Sequence, residues 1–225
     1  MKIKRFILQL AGKEPWTFCE VDIPVEKVGD WSVAFDQLNA ESIVYSFGIG
    51  DDVELDLALI NNIGVTVFAF DPTPLAVDWV TDNVRNDKFK FYPYGIASED
   101  GEIIFSQRES SGSGAVMFSA VKEPVPGRKN ISCQVFRLQT LMKQLEHDKI
   151  DLLKLDIEGM EYEVITDILA SSIRPRHICL EVHHRFFAEG KTKTENMVRD
   201  MRAAGYQIYA LSGLGREYSF IYQGD

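Results

Sequence analysis

Ile43-Val44-Tyr45-Ser46-Phe47-Gly48-Ile49-Gly50-Asp51-Asp52 sets an apolar run of five against a turn with two glycines and two acids. Residues 53–61 then repeat apolar side chains three and four apart. A buried strand that passes through a glycine turn into an amphipathic helix is the opening unit of a doubly wound α/β sheet. Glycine at such a turn lets the backbone approach a ligand at a helix N-terminus. The same rhythm continues along the chain. Apolar runs at 65–70, 88–94, 151–157 and 177–183 read as further buried strands, and amphipathic segments at 74–86, 161–170 and 193–204 read as the helices between them. Residues 207–211 and 218–222, separated by Ser212-Gly213-Leu214-Gly215-Arg216, read as an antiparallel hairpin that closes the sheet. The expectation is a Rossmann-like, mostly parallel seven-stranded sheet.

Two regions depart from that rhythm. Residues 98–136 carry short strand-like runs at 103–105, 115–118 and 131–136 joined by Gly, Ser and Pro, which reads as an inserted β excursion. Its loop, 106–114, with Ser110-Ser111-Gly112-Ser113-Gly114, has the composition of a lid or a solvated hairpin loop. Residues 1–41 hold Trp16, Phe18, Trp31 and Phe35 without clear periodicity and read as an extension packed on a domain spanning 42–225. Burial in the core is the expected fate of both tryptophans.

Composition narrows the partners. With 24 Lys and Arg against 34 Asp and Glu the formal charge is −10, which repels nucleic acid. Cys19, Cys133 and Cys179 fall in no paired spacing and read as free thiols of a reducing compartment. No cleavable leader and no membrane-spanning run is expected, so the reading is a soluble, cytoplasmic protein. Composition says nothing about oligomeric state.

In an open parallel sheet ligands sit beyond the carboxyl ends of the strands. Counting G-x-G-x-x-G from Gly48 puts Val53 where the dinucleotide fingerprint needs its third glycine, which lowers the case for NAD or FAD. The acids Asp51 and Asp52 suit an amino or sulfonium group better than a pyrophosphate. Asp71, 21 residues beyond Gly50 and followed by Pro72 and Thr73, stands where this fold uses an acid to accept from both ribose hydroxyls. The alternative for Asp71 is a helix cap, a task for which Thr73 is itself suited. Tyr94-Gly95-Ile96-Ala97-Ser98 offers small and apolar surroundings for an adenine ring.

Asp156 and Glu158 end the fourth strand run, and alternation puts them on one side with Lys154, which has a structural reading as the partner of a buried carboxylate. Glu181 and His183 end the fifth and share a face by the same rule. Asp156, Glu158 and His183 are therefore the catalytic candidates, with His183 or Asp156 as general base. Asp156, Glu181 and His183 also offer mixed oxygen and nitrogen donors to a divalent ion, a reading less favoured because they match no strict metal spacing. His147 and His177 read as surface or strand-start residues.

Val44-Tyr45-Ser46-Phe47-Gly48-Ile49-Gly50, Phe70-Asp71-Pro72, Asp151-Leu152-Leu153-Lys154-Leu155-Asp156-Ile157-Glu158-Gly159-Met160-Glu161 and Glu181-Val182-His183-His184-Arg185-Phe186 together resemble the FkbM family of S-adenosylmethionine-dependent methyltransferases. The K-x-D-x-E-G-x-E segment is the most specific part, and the resemblance covers 43 onward. It implies a class I methyltransferase that acts on a hydroxyl of a small metabolite or sugar. It further implies a cofactor site drawn from Ser46, Phe47, Gly48, Gly50, Asp51, Asp71, Pro72, Gly95, Ile96, Ala97 and Asp156. Ser46 departs from the acidic residue many methyltransferases carry there, which shifts recognition of the methionine amine to Asp51, Asp52 or backbone carbonyls. Two other readings use the same residues: a nicotinamide-dependent oxidoreductase, and a cofactor-binding module without catalysis. The acceptor pocket falls to the N-terminal segment and the β excursion, where the sequence carries least signal.

Overall fold

The computed structural model describes residues 2–108, 118–121 and 123–224. Its first part runs α1 (Lys2–Leu10), β1 (Glu26–Val28), β2 (Trp31–Val33), β3 (Ile43–Phe47), α2 (Glu54–Ile63), β4 (Thr66–Phe70), α3 (Pro74–Asn83) and β5 (Phe89–Tyr92). Then come β6 (Gly95–Ile96), β7 (Gly101–Gln107), β8 (Phe118–Val121) and β9 (Asn130–Phe136). The chain continues through α4 (Leu138–Gln144), β10 (Leu152–Leu155), α5 (Glu161–Ala170), β11 (His177–Glu181), α6 (Gly190–Ala203), β12 (Tyr206–Leu211) and β13 (Glu217–Tyr222).

Seven strands form the main sheet in the order β12-β13-β11-β10-β3-β4-β5. The pairs from β11 across to β5 are parallel, while β13 runs antiparallel to both of its neighbours. The expected hairpin is present, with its second strand lying inside the sheet and its first at the edge. Strand alternation divides the apolar residues between two layers. Tyr45, Phe47, Leu153, Leu155, Ile178 and Leu180 pack on the face covered by α4, α5 and α6. Val44, Val67, Leu152 and Cys179 pack on the face covered by α2, α3 and the buried Trp31. Burial on both faces is what parallel strands with near-continuous apolar runs require.

The β excursion forms its own four-stranded sheet in the order β6-β9-β7-β8, longer than its apolar triplets suggest. The expected lid at 106–114 lies outside the described residues beyond Arg108, as does the expected strand at 115–118 short of Phe118. Three expectations are corrected. Strands β10 and β11 stop at Leu155 and Glu181, so Asp156, Glu158 and His183 sit in the turns beyond them. Glu158 has φ +54, a turn conformation that strand alternation cannot describe. Trp16 is 53% exposed, and with Phe6, Ile7, Leu10 and Phe18 it leaves an apolar surface around α1, whereas Trp31 is buried as expected. No helix among the described residues is long and apolar enough to cross a membrane.

Candidate functional site

The turn after β3 is held by backbone. Gly48 has φ +76, its N–H donates to Phe70 O at 3.0 Å, and a Cβ there would lie 1.6 Å from the Asp156 carbonyl oxygen. Only glycine allows the β3 and β10 ends to approach this closely. Gly50 has φ +53 and faces open space. Its N–H donates to Asp71 Oδ2 at 2.9 Å, while Thr73 N and Oγ1 donate to Asp71 Oδ1 at 2.9 and 2.6 Å. Asp71 is thus fixed by both turns, and Thr73 caps α3 through Ala76 N. The second lone pair of Oδ2 is left for a ligand hydroxyl.

Phe47, Gly48, Phe70, Asp71, Pro72, Gly95, Ile96, Phe105, Phe118, Asp156 and Glu158 line one cavity. Of the residues expected at a cofactor, Ser46, Gly50, Asp51 and Ala97 lie outside that lining. Ser46 is 1% exposed and is directed at Asp56 on the opposite face, beside Lys154. Lys154 donates to Gly48 O at 3.0 Å and lies over the Trp31 ring, so it supports the glycine turn from beneath. The β excursion supplies Phe105 and Phe118, which close the apolar end of the cavity.

A second cavity begins where the first ends. Arg108, Asp156, Glu158, Glu181, His183, Arg185, Phe186 and Arg216 line it, so Asp156 and Glu158 border both. His183 stands at its floor. Nδ1–H donates to Glu161 Oε1 at 2.6 Å, and Glu161, the first residue of α5, is fully buried. Nε2 faces Asp156 Oδ1 at 3.9 Å, Glu158 Oε2 at 3.8 Å and Glu181 Oε1 at 3.8 Å. One oxygen each of Asp156 and Glu158 and one His183 nitrogen lie within 4.8 Å of one another.

These groups perturb each other. Burial raises the Asp156 and Glu158 carboxyls above the ordinary range, with the Glu161 and Asp71 charges adding at Asp156 and the Asp156 charge at Glu158. Burial and the Asp156 charge push Glu181 up to about 7. Burial alone would lower His183, but the Glu161 hydrogen bond and the charges of Glu161, Glu158 and Glu181 outweigh it and lift the imidazole to about 9. Arg108 compensates part of the negative charge through a 3.1 Å pair with Glu158 while stacking over Phe186.

Sequence reasoning did not single out Glu161, Arg108 or Glu14 as site residues. Glu161 carried a signal as the last acid of K-x-D-x-E-G-x-E. Glu14 is buried, pairs with Arg185 and lies 3.1 Å from His184 Nε2, which ties the N-terminal segment to the wall of the second cavity.

The methyltransferase FkbM domain model matches residues 24–208. The hexuronic acid methyltransferase AglP of Haloferax volcanii is 25% identical over 164 residues, which cover 64% of this chain and 65% of that protein. The match thus spans a little under two thirds of that relative's length. A fibrillarin/Nop5p complex structure superposes with a TM-score of 0.51 at 12% identity, covering 83% of this chain and 75% of the other. At that identity the likeness shows a shared Rossmann-like fold.

Proposed function

The chain belongs to the methyltransferase FkbM family, and on that premise we propose that it transfers a methyl group from S-adenosylmethionine to a hydroxyl of a small sugar-like acceptor. The observation that carries this reading is the pair of cavities meeting at Asp156 and Glu158. The cavity beyond β3 supports a cofactor site in which the Asp71 carboxylate serves the ribose and the apolar wall of Phe47, Phe70 and Ile96 the adenine, with the open face of Gly50 just outside the lining left for the amino acid part. Bound there, the cofactor supplies an electrophilic methyl on a sulfonium sulfur.

The second cavity takes the acceptor. Glu161 holds His183 Nδ1 while Nε2 stands 3.8 to 3.9 Å from the carboxylates of Asp156, Glu158 and Glu181, and proton abstraction is given to an acid. Asp156, at the wall common to both cavities, would accept the proton of an acceptor hydroxyl whose oxygen is held there toward the methyl group. The residues contribute mainly by orienting and desolvating that oxygen, with general-base help of roughly 10²–10⁴-fold. Arg108 is paired to Glu158 and Arg185 to Glu14, so Arg216 on the cavity wall is the cation offered to a negatively charged group of the acceptor, and the likeness to AglP, a hexuronic acid methyltransferase, supports a sugar acid. The overall charge of −10 favours such a small molecule over a polynucleotide.

Calorimetric titration with S-adenosylmethionine, S-adenosylhomocysteine and NAD, repeated on Asp71→Ala, tests the cofactor. Saturable binding of the two sulfur ligands alone, weakened in the variant, is expected. NAD binding in their place would favour the oxidoreductase reading and reject this one. Labelled methyl transfer to glucuronic and galacturonic acid, against their neutral counterparts, then tests the acceptor. A preference for the neutral sugars would reject the role given to Arg216.

A further inference from the structure

Around His183 the carboxylates are too far apart to bond to the ring and too close to be left facing one another. The His183 side chain is only 8% exposed, and among the described residues its Nε2 makes no hydrogen bond. That atom instead points into a ring of oxygens from Asp156, Glu158 and Glu181 at 3.8 to 3.9 Å. Hydrogen bonds between such groups close to about 2.7–2.9 Å. Donors that share an ion, each roughly 2.0–2.3 Å from it, stand about 3–4.5 Å from one another. The spacing here is that of the second arrangement.

Charge points the same way. Four carboxylates, Asp156, Glu158, Glu161 and Glu181, surround one imidazole, with Arg108 paired to Glu158 and Arg216 on the wall beside Glu181. Half-buried carboxylates gathered this closely are costly unless cations offset them, and an ion bound at Nε2 takes the place of the imidazole proton there. Behind the ring, Glu161 Oε1 accepts from both His183 Nδ1 and Gly159 N, which fixes the imidazole with Nε2 forward. A carboxylate on the far nitrogen is how proteins orient a ligating histidine.

We propose that Asp156, Glu158 and His183 Nε2 bind a hard divalent cation, Mn²⁺ or Mg²⁺, with Glu161 as the positioning residue behind the histidine. Two carboxylates and one imidazole suit Mn²⁺ best and exclude the soft, thiolate-seeking ions. The ligands come from the turns after two adjacent parallel strands, β10 and β11, which is why no local spacing announces them. A monodentate Asp156 keeps its second oxygen for the acceptor proton. The ion's part in catalysis, holding the acceptor oxygen and favouring its deprotonated form, rests on the methyl-transfer reading; its binding does not.

The test is titration of chelator-treated full-length protein with MnCl₂, without S-adenosylmethionine, followed by calorimetry and by the paramagnetic resonance signal of free Mn²⁺. One saturable site per chain is expected. Asp156→Asn and His183→Gln should weaken it at least tenfold, and Glu161→Gln, which meets the ring at Nδ1 and not at Nε2, by roughly 10–100-fold. Thermal unfolding of each variant shows that it is folded. Absence of saturable Mn²⁺ or Mg²⁺ binding to the folded wild type, binding of Zn²⁺ alone, or Mn²⁺ affinity unchanged in folded Asp156→Asn and Glu161→Gln would each overturn the proposal. Parallel titration with S-adenosylmethionine separates the two readings: Mn²⁺ binding without cofactor binding removes the methyltransferase proposal and leaves the cation site, and the converse does the opposite.

Discussion

His177 and His183 bracket β11, one at its amino end and one in the turn past its carboxyl end, and both are buried. His177 is 1% exposed, packs edge-on to Tyr209, and among the described residues neither ring nitrogen has a hydrogen-bond partner. Burial and the neighbouring Arg176 charge push it down to about 4, so it is a neutral piece of the core. Six residues further along the chain, His183 is lifted to about 9 by the carboxylates gathered around it. The same side chain at similar depth takes opposite charge states because partners, not depth, decide. The contrast extends to the sheet: its amino-end rim is built for packing, its carboxyl-end rim holds charges that destabilise one another in the free protein.

Variants at the two rims should therefore separate activity from stability. The largest effect belongs to Asp156→Asn, where turnover should fall by roughly 10²–10⁴-fold. Its unfolding free energy should hold or rise by about 0.5 kcal/mol as repulsion is relieved. Turnover and chemical denaturation on one preparation check both; a large loss of stability would break the comparison.

The next effect belongs to His177 and appears as a pH dependence. Its native value of about 4 lies below the unfolded 6.5, so the unfolded chain takes the proton first and stability falls as pH drops from 6.5 to 4. The full shift corresponds to about 3 kcal/mol as an upper figure. Denaturation midpoints across that range should show the decline, and His177→Leu should flatten it. A slope that persists in His177→Leu would assign the acid limb elsewhere.

The smallest effect sharpens the boundary between the rims. Asp71 serves both, because its oxygens accept from Gly50 and Thr73 while it lines the cavity. Asp71→Asn should cost about 1–2 kcal/mol of stability. It should also weaken S-adenosylmethionine about tenfold, by calorimetry. Stability lost with affinity intact would move Asp71 to the structural side.

Much of this was readable from residues because it is carried by local patterns. Apolar runs marked β3, β4, β10 and β11, and the Gly48 and Gly50 turn located the crevice where the sheet reverses. Asp71 could be placed by counting. The charged cluster was legible only by membership. Alternation holds to Leu155 and Glu181 and then fails, since Glu158 turns with φ +54 and His183 precedes a single 3-10 turn at His184–Phe186. That Glu161 reaches back to His183 depends on how α5 leaves the sheet, which no periodicity encodes. Seven-residue α4 is too short to give a clear period, and α1 points Phe6, Ile7 and Leu10 outward, so apolarity there does not report burial.

Strand β13 follows β12 in the chain yet lies between β12 and β11. On a ribosome this ordering imposes a delay. While β12 is emerging its place on the sheet is not yet available, and the exposed rim of β11 stays an open template until Glu217–Tyr222 has been synthesised and slotted in. The antiparallel insertion also brings Arg216 O to Val182 N at 2.9 Å and Glu217 opposite Glu181, which pins the turn that holds His183. The charged crevice is therefore pinned only once β13 has paired, and until then the β11 edge stays open to other chains.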